Sequence, residues 1–304
     1  MDITLEYRQN ELEEKQAKQA AQLLKMSARN SFNPRVDIDW DAPLEPGKWF
    51  VPESRCTLYG TDLWDSLSVE QRINVSREEL ASNLALGVWT EWMLLEAVSR
   101  YSYDLDITSP AAQFAMTESA DEVRHMIMFA DVIQKIGCKS YRVPPRTRIA
   151  GIFLKSLAPV PWLWAQLMMT EQLFDRFQRE MADDETLQPL IREMSRIHVV
   201  EEARHISFAQ TEIEKFVAKA SRAQRFMVQM LLAMTLETLA KEVFNPEMYK
   251  RAGLDPKAAR KAALANPNNR ASFKWAAEEI AEYYKSIGLI GGMAEKKWKK
   301  AGFL

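Results

Sequence analysis

Cysteine is almost missing from this sequence: Cys56 and Cys138 are the only two among 304 residues. Two thiols make neither a disulfide framework nor a thiolate metal cluster; they read as small buried side chains in a reduced, cytoplasmic protein. Glycine (10) and proline (13) are also sparse, which speaks against a turn-rich β protein and for long uninterrupted elements. No sign of charge dominates, with 40 Lys+Arg against 42 Asp+Glu and no basic block, so nucleic acid is not an expected partner. The most apolar stretch, Ile149 to Thr170, is interrupted by Lys155, Pro159 and Pro161. It reads as a buried helix entered through a proline turn, and no membrane span is expected. The first thirty residues are polar and charged without an apolar signal core, so export is not expected either. Histidine occurs three times. With so few, each position carries information.

What is present is apolar content of 47%, arranged in long helical stretches. Residues 3–28 read as a charged amphipathic helix packed on the body, and 29–75 as an irregular lead-in anchored by aromatics. Ser76 followed by Glu79 is a capping-box signature and predicts a helix start there. Ser109-Pro110 predicts a second start, running to about Ile136 before Gly137. Residues 138–160 read as a proline-rich crossover. Further helices are expected over about 161–182, 187–219 and 221–243, with short helices in the tail from 247. Long helices joined by two short turns and one long crossover describe an all-α, ferritin-like four-helix bundle with extra N- and C-terminal helices.

The chemistry lies in a repeat. Asp121-Glu122-Val123-Arg124-His125 and Glu201-Glu202-Ala203-Arg204-His205 both read acid-Glu-x-Arg-His, at an offset of 80 residues (202 minus 122). The same offset carries Thr90-Glu91 onto Thr170-Glu171, so each half holds a Glu and, 31 residues later, a Glu-x-x-His. At about 1.5 Å rise per residue, such an interval climbs one helix and returns down its neighbour, bringing the two Glu level. Within Glu-x-x-His the side chains stand at i and i+3 on one face. Two such hairpins packed together converge Glu91, Glu122, Glu171, Glu202, His125 and His205 on one interior point. Four buried carboxylates are prohibitively costly alone, and two divalent cations neutralise them. Oxygen and imidazole donors without thiolate suit two iron ions, with manganese as the alternative. One Glu-x-x-His is a weak signal in a helical protein; two at a shared interval are a strong one. Glu96 competes with Glu91 for the first position, but only Glu91 obeys the offset.

The third histidine, His198, lies four residues before Glu202 and seven before His205, on the same helical stripe, and reads as a seventh ligand. Its counterpart in the first half is Glu118, a weaker candidate beside the ligands or on the substrate side. Asp121 and Glu201 are candidates to accept the second N–H of a metal-bound histidine across the bundle. Against this stands the reading of both as ordinary surface acids. Arg124 and Arg204 read as structural salt-bridge partners. Val88, Leu94, Leu95, Trp164, Leu167 and Met168 could wall a pocket, and core packing explains them equally well. The organisation is then one domain over 1–304: an arm and lead-in (1–75), a metal-binding bundle (76–220) and additional helices (221–304).

Glu91, Glu122-x-x-His125, Glu171 and above all His198-x-x-x-Glu202-x-x-His205 resemble the AurF-like aminobenzoate N-oxygenases, in layout over roughly residues 30–250. The resemblance implies a three-His, four-Glu di-iron site that activates O2 and oxidises an aromatic amine through hydroxylamine toward nitro. It implies a small-molecule substrate and an external electron donor as partners. His198 is the discriminating residue, because acyl desaturases and ribonucleotide reductase small subunits carry the Glu/His pattern without it. Carbon hydroxylation or desaturation on the same centre is one competing reading, and ferroxidase or iron-handling activity another. A homodimer is plausible from Trp- and Met-rich faces.

Overall fold

The structure, a computed structural model, describes the backbone over residues 3–304 and side-chain burial over 12–153 and 156–304. The described residues form α1 (Ile3–Arg29), α2 (Pro34–Asp37), α3 (Asp62–Asp65), α4 (Val69–Ser102), α5 (Pro110–Lys135), α6 (Pro145–Leu157), α7 (Val160–Asp183), α8 (Pro189–Lys219), α9 (Arg222–Glu242), α10 (Pro246–Arg251), α11 (Pro256–Ala265), α12 (Pro267–Ser286) and α13 (Gly292–Ala301). The fold is all-α and ferritin-like. Helices α4 and α5 form one hairpin, α7 and α8 the other, and the hairpins meet along α4–α7 and α5–α8. Helix α1 lies against α5 and α8, α12 against α7, and α13 against α9.

Helix ends follow local chemistry. Ser109 accepts from the Ala112 amide (3.2 Å) ahead of Pro110, and Gly137 leaves α5 with φ +74°, a left-handed turn that costs glycine little. Ser221 and Gln224 cap α9 reciprocally. The start predicted at Ser76 is displaced. Helix α4 begins a full two turns earlier, where the Ser68 hydroxyl accepts from the Gln71 amide (3.3 Å) and Gln71 Oε1 accepts from the Ser68 amide (2.9 Å). The helix runs straight through Ser76 and Glu79 because the lead-in uses those groups. Ser76 Oγ accepts from the Phe50 amide, and the Glu79 carboxylate accepts from the Thr57 amide and hydroxyl. Ser68→Ala is therefore expected to cost about 1 kcal/mol, read as a melting point lower by roughly 2 °C. Ser76→Ala should leave α4 intact by circular dichroism.

Two further expectations are corrected. The crossover over 138–160 contains helix α6, whose Ile149 and Leu157 are 52% and 77% exposed; among the described residues of the apolar stretch before Ala158, Gly151 alone is buried. The tail is not made of short helices alone. Helix α12 spans 20 residues and ties to α7 where the Tyr284 hydroxyl donates to the Ala165 carbonyl.

The apolar core is split in two. One half gathers Phe114, Trp162, Trp164 and Phe208; the other gathers Trp64, Met128, Ile197 and Tyr249. Along α5 the division falls between Ala115 and Met128, and along α8 between Ile197 and Phe208. The buried polar residues of the repeat fill this gap.

Candidate metal centre

Four helices each deliver part of the cluster: Glu91 from α4, Glu122 and His125 from α5, Glu171 from α7, and His198, Glu202 and His205 from α8. All seven are at most 2% exposed. The threonines that precede Glu91 and Glu171 turn back onto their own helices, Thr90 onto the Gly87 carbonyl and Thr170 onto those of Gln166 and Leu167. They satisfy themselves and leave the glutamates to the interior.

His125 and His205 face the same carboxylate pair. His125 Nδ1 stands 3.1 Å from Glu122 and 3.2 Å from Glu202, and His205 Nδ1 stands 2.9 Å from Glu122 and 3.2 Å from Glu202. Their other nitrogens cross the bundle. His125 Nε2 lies 2.8 Å from Glu201 on α8, and His205 Nε2 lies 3.4 Å from Asp121 on α5. An acid opposite Nε2 keeps the proton there and turns the Nδ1 lone pair toward the centre. Asp121 also takes Arg124 and Arg204, and Glu201 takes Arg204 (3.6 Å), so these acids are themselves held by cations. Asp121 is held below the usual carboxylate range: burial pushes it up, but His205, Arg124 and His125 together outweigh that.

His198 is oriented differently. Its Nδ1–H donates to Gln178 Oε1 on α7 at 2.7 Å, leaving Nε2 as a bare lone pair, 3.6 Å from Glu202 and 4.0 Å from Glu91. Burial and the neighbouring His125 push its pKa down to about 4, so it is neutral. Gln178 was not legible as a partner in advance. Its only sequence signal is its place seven residues after Glu171, two turns along the same face. Replacing it with leucine removes the acceptor and is expected to weaken metal binding about 10- to 100-fold, measured by competition with a chelator of known affinity. Gln178→Glu should largely restore it.

Electrostatics shows what the cluster lacks. Burial, then repulsion from the other carboxylates, drives Glu91 and Glu171 well above the normal range. Burial raises Glu122 and Glu202 too, but the histidines overcome it and hold both low, while these carboxylates lift His125 and His205 despite burial. Glu91 Oε2, Glu171 Oε2, His198 Nε2 and both oxygens of Glu118 are buried without a hydrogen bond. Each such atom costs about 1–3 kcal/mol if left unpaired. Metal–ligand bonds of about 2 Å put two donors on one cation roughly 3–4 Å apart, which is the spacing found here. Three groups have donor atoms all within 4.8 Å of one another: Glu91–Glu171–His198, His125–His198–Glu202 and Glu118–Glu122–His205. The residues fit two divalent cations, four charges against the four of Glu91, Glu122, Glu171 and Glu202.

A cavity of about 150 Å³ opens beside Glu91, Glu171 and His198. Helix α4 floors it with Glu79, Asn83, Gly87 and Glu91, spaced by four, and Phe129, Phe174 and Phe177 wall it. None of Val88, Leu94, Leu95, Trp164, Leu167 and Met168, the pocket residues suggested by sequence, lines it: Leu94, Trp164, Leu167 and Met168 belong to the core half beyond the metal layer, and Val88 packs on the other half. Apolar periodicity marks burial and does not tell a wall from a filling.

The model of the p-aminobenzoate N-oxygenase AurF family matches residues 13–288. The chain belongs to this family. Uncharacterized proteins of Mycobacterium tuberculosis and Mycobacterium bovis are 25% identical to it over 293 residues, 92% of this chain and 85% of theirs. AurF-family membership makes the chain an oxygenase-type protein of a di-iron family, acting on a small molecule and O2. Among the described residues no helix is long and apolar enough to cross a membrane.

Proposed function

We propose that this AurF-family chain binds two iron ions through Glu91, Glu122, His125, Glu171, His198, Glu202 and His205 and N-oxygenates a small aromatic amine toward hydroxylamine and nitro. The observation that carries the reading is the cavity on Glu91, Glu171 and His198. A volume near 150 Å³ is what one benzene-sized ring occupies in an apolar protein interior. When bound, ferrous ions would supply electrons and open positions for O2.

The protein's own groups do the rest. Glu201 and Asp121 hold the protons on His125 and His205 away from the centre, and Gln178 does so for His198. Phe129, Phe174 and Phe177 give the cavity an aromatic lining that favours a flat apolar ring over water. Gly87, with no side chain, lets the Phe129 ring approach the floor, where a Cβ would meet it at 3.5 Å; an amine bound here would point its nitrogen toward Glu91, Glu171 and His198. Converting an amine to a hydroxylamine with O2 consumes two further electrons and two protons and releases water, so an external electron donor belongs to the proposal.

The test is single turnover. Anaerobic protein loaded with ferrous iron is mixed with O2 and p-aminobenzoate or a neutral aniline, and products are identified by mass spectrometry. Hydroxylamine or nitro products support the reading. C–O or C=C products move the chain to carbon oxidation on the same centre, and iron oxidation that ignores every organic substrate moves it to iron handling. Manganese in place of iron would show as activity restored by Mn2+ alone.

A further inference from the structure

Glu118 is a buried member of the repeat outside the proposed ligand set. The 80-residue offset that pairs Glu122 with Glu202 pairs His198 with Glu118 (198 minus 118). Glu118 sits on α5 four residues before Glu122, one turn along the same face. It is 0% exposed, and neither of its oxygens has a hydrogen-bond partner.

Such a carboxyl needs an explanation in either protonation state. Protonated, its O–H requires an acceptor, and none is within hydrogen-bond reach. Ionised, it requires a positive neighbour. The nearby guanidinium groups are committed elsewhere, Arg124 to Asp121 and Arg204 to Asp121 and Glu201. What Glu118 does face is the centre: an oxygen of Glu118, an oxygen of Glu122 and a nitrogen of His205 all lie within 4.8 Å of one another. Glu91, Glu171 and His198 form a triple of the same spacing on the cavity side. Given the di-metal centre proposed above, we infer that Glu118 is an eighth metal ligand, binding through a carboxylate oxygen the cation held by Glu122 and His205.

The two metal positions then differ in kind. The position beside the cavity takes the neutral imidazole of His198, and the one away from it takes an anionic oxygen where the repeat would place an imidazole. Five carboxylates exceed the charge of two divalent ions and fall short of that of two trivalent ones, so Glu118 favours the oxidised pair at the buried position. Substrate access and the cation that takes the neutral His198 coincide on the cavity side.

Cobalt(II), which needs no O2 or reductant, is the probe. The metal-free full chain and its Glu118→Gln and Glu118→Asp variants are titrated with Co2+, following the visible d–d absorption. Folding of each is checked by circular dichroism before metal is added. Wild type should take two equivalents. Glu118→Gln, which keeps shape and loses the anion, should keep one site at wild-type affinity and weaken the other about a hundredfold, with a changed d–d band for the weakened site. Glu118→Asp, which keeps the charge and withdraws the oxygen by one methylene, should retain two equivalents with a shifted band; it carries the test if the Gln variant does not fold. A wild-type d–d spectrum at both sites in the folded variants overturns the assignment while leaving the di-metal centre intact. Fewer than two equivalents in wild type overturns both.

Discussion

Glu122→Ala and Glu202→Ala each strip the chain of both metal ions, whereas Glu96→Ala leaves two per chain. That is the expected outcome of metal analysis after loading with iron and desalting. The reason is position. Glu202 lies 3.2, 3.6 and 3.2 Å from the nitrogens of His125, His198 and His205, so its loss takes a donor from both cation positions at once. Glu122 stands between His125 and His205 in the same way, at 3.1 and 2.9 Å. Losing a partner that merely orients a ligand costs about tenfold to a hundredfold; losing the donor itself costs at least as much at that position, and losing one shared by both compounds the loss. Glu96 shares α4 with Glu91 but stands outside all three donor groups. The same centre gives truncations of Glu91 or Glu171 opposite signs on stability with and without metal. In the metal-free chain, burial and like-charge repulsion make these carboxyls a liability, so Glu171→Leu should raise the metal-free melting point. In the loaded chain it removes a ligand and the stabilisation that binding confers. A Glu171→Leu variant less stable than wild type in the presence of a chelator would contradict the electrostatic account.

The parts of this architecture legible in the sequence were those repeated at long range. The offset that aligns Glu122-x-x-His125 with Glu202-x-x-His205 implies a pair of hairpins, because 31 residues is an up-and-back path and little else brings the acids level. It also offers Asp121 and Glu201 as acceptors for those histidines, level with a reading of both as surface acids; only the packing of α5 on α8 sets Asp121 against His205 and Glu201 against His125. Local signals were weaker. Ser68–Gln71 and Ser76–Glu79 both have capping-box spacing, and only the packing of Phe50 and Thr57 on the second decides which one starts the helix. The cavity was not legible either. Its walls come from α4, α5, α7, α8 and the segments around Thr57 and Asn269, which no periodicity within one helix brings together. Gln178 illustrates the same limit, since an amide has no charge or spacing rule to mark it until His198 is seen against it.

Glu79 at the far end of that cavity carries the other large effect, one of pH. Its carboxyl is buried, and burial raises its pKa from 4.5 to about 7 even though the Thr57 hydroxyl and amide both donate to it. In the unfolded chain it titrates near the ordinary value, so between about pH 4.5 and 7 the folded protein holds the extra proton. Stability from this group is thus fully present below pH 4.5, falls as pH rises through the window, and is lost above about pH 7. At 1.36 kcal/mol per unit the loss amounts to roughly 3 kcal/mol. Glu79→Gln keeps an oxygen for Thr57 and cannot ionise, so it removes this slope. Measured by denaturant unfolding in the presence of a chelator, so that the metal-free ligands contribute the same slope to both proteins, the variant and wild type should converge near pH 4.5, with the variant the more stable above pH 7. Parallel curves for the two proteins across the window would mean that Glu79 ionises as freely in the fold as in water. A raised Glu79 also bears on what enters the cavity: near pH 7 it is about half ionised, so the end that Thr57, Asn83 and Asn269 also line carries less than a full negative charge.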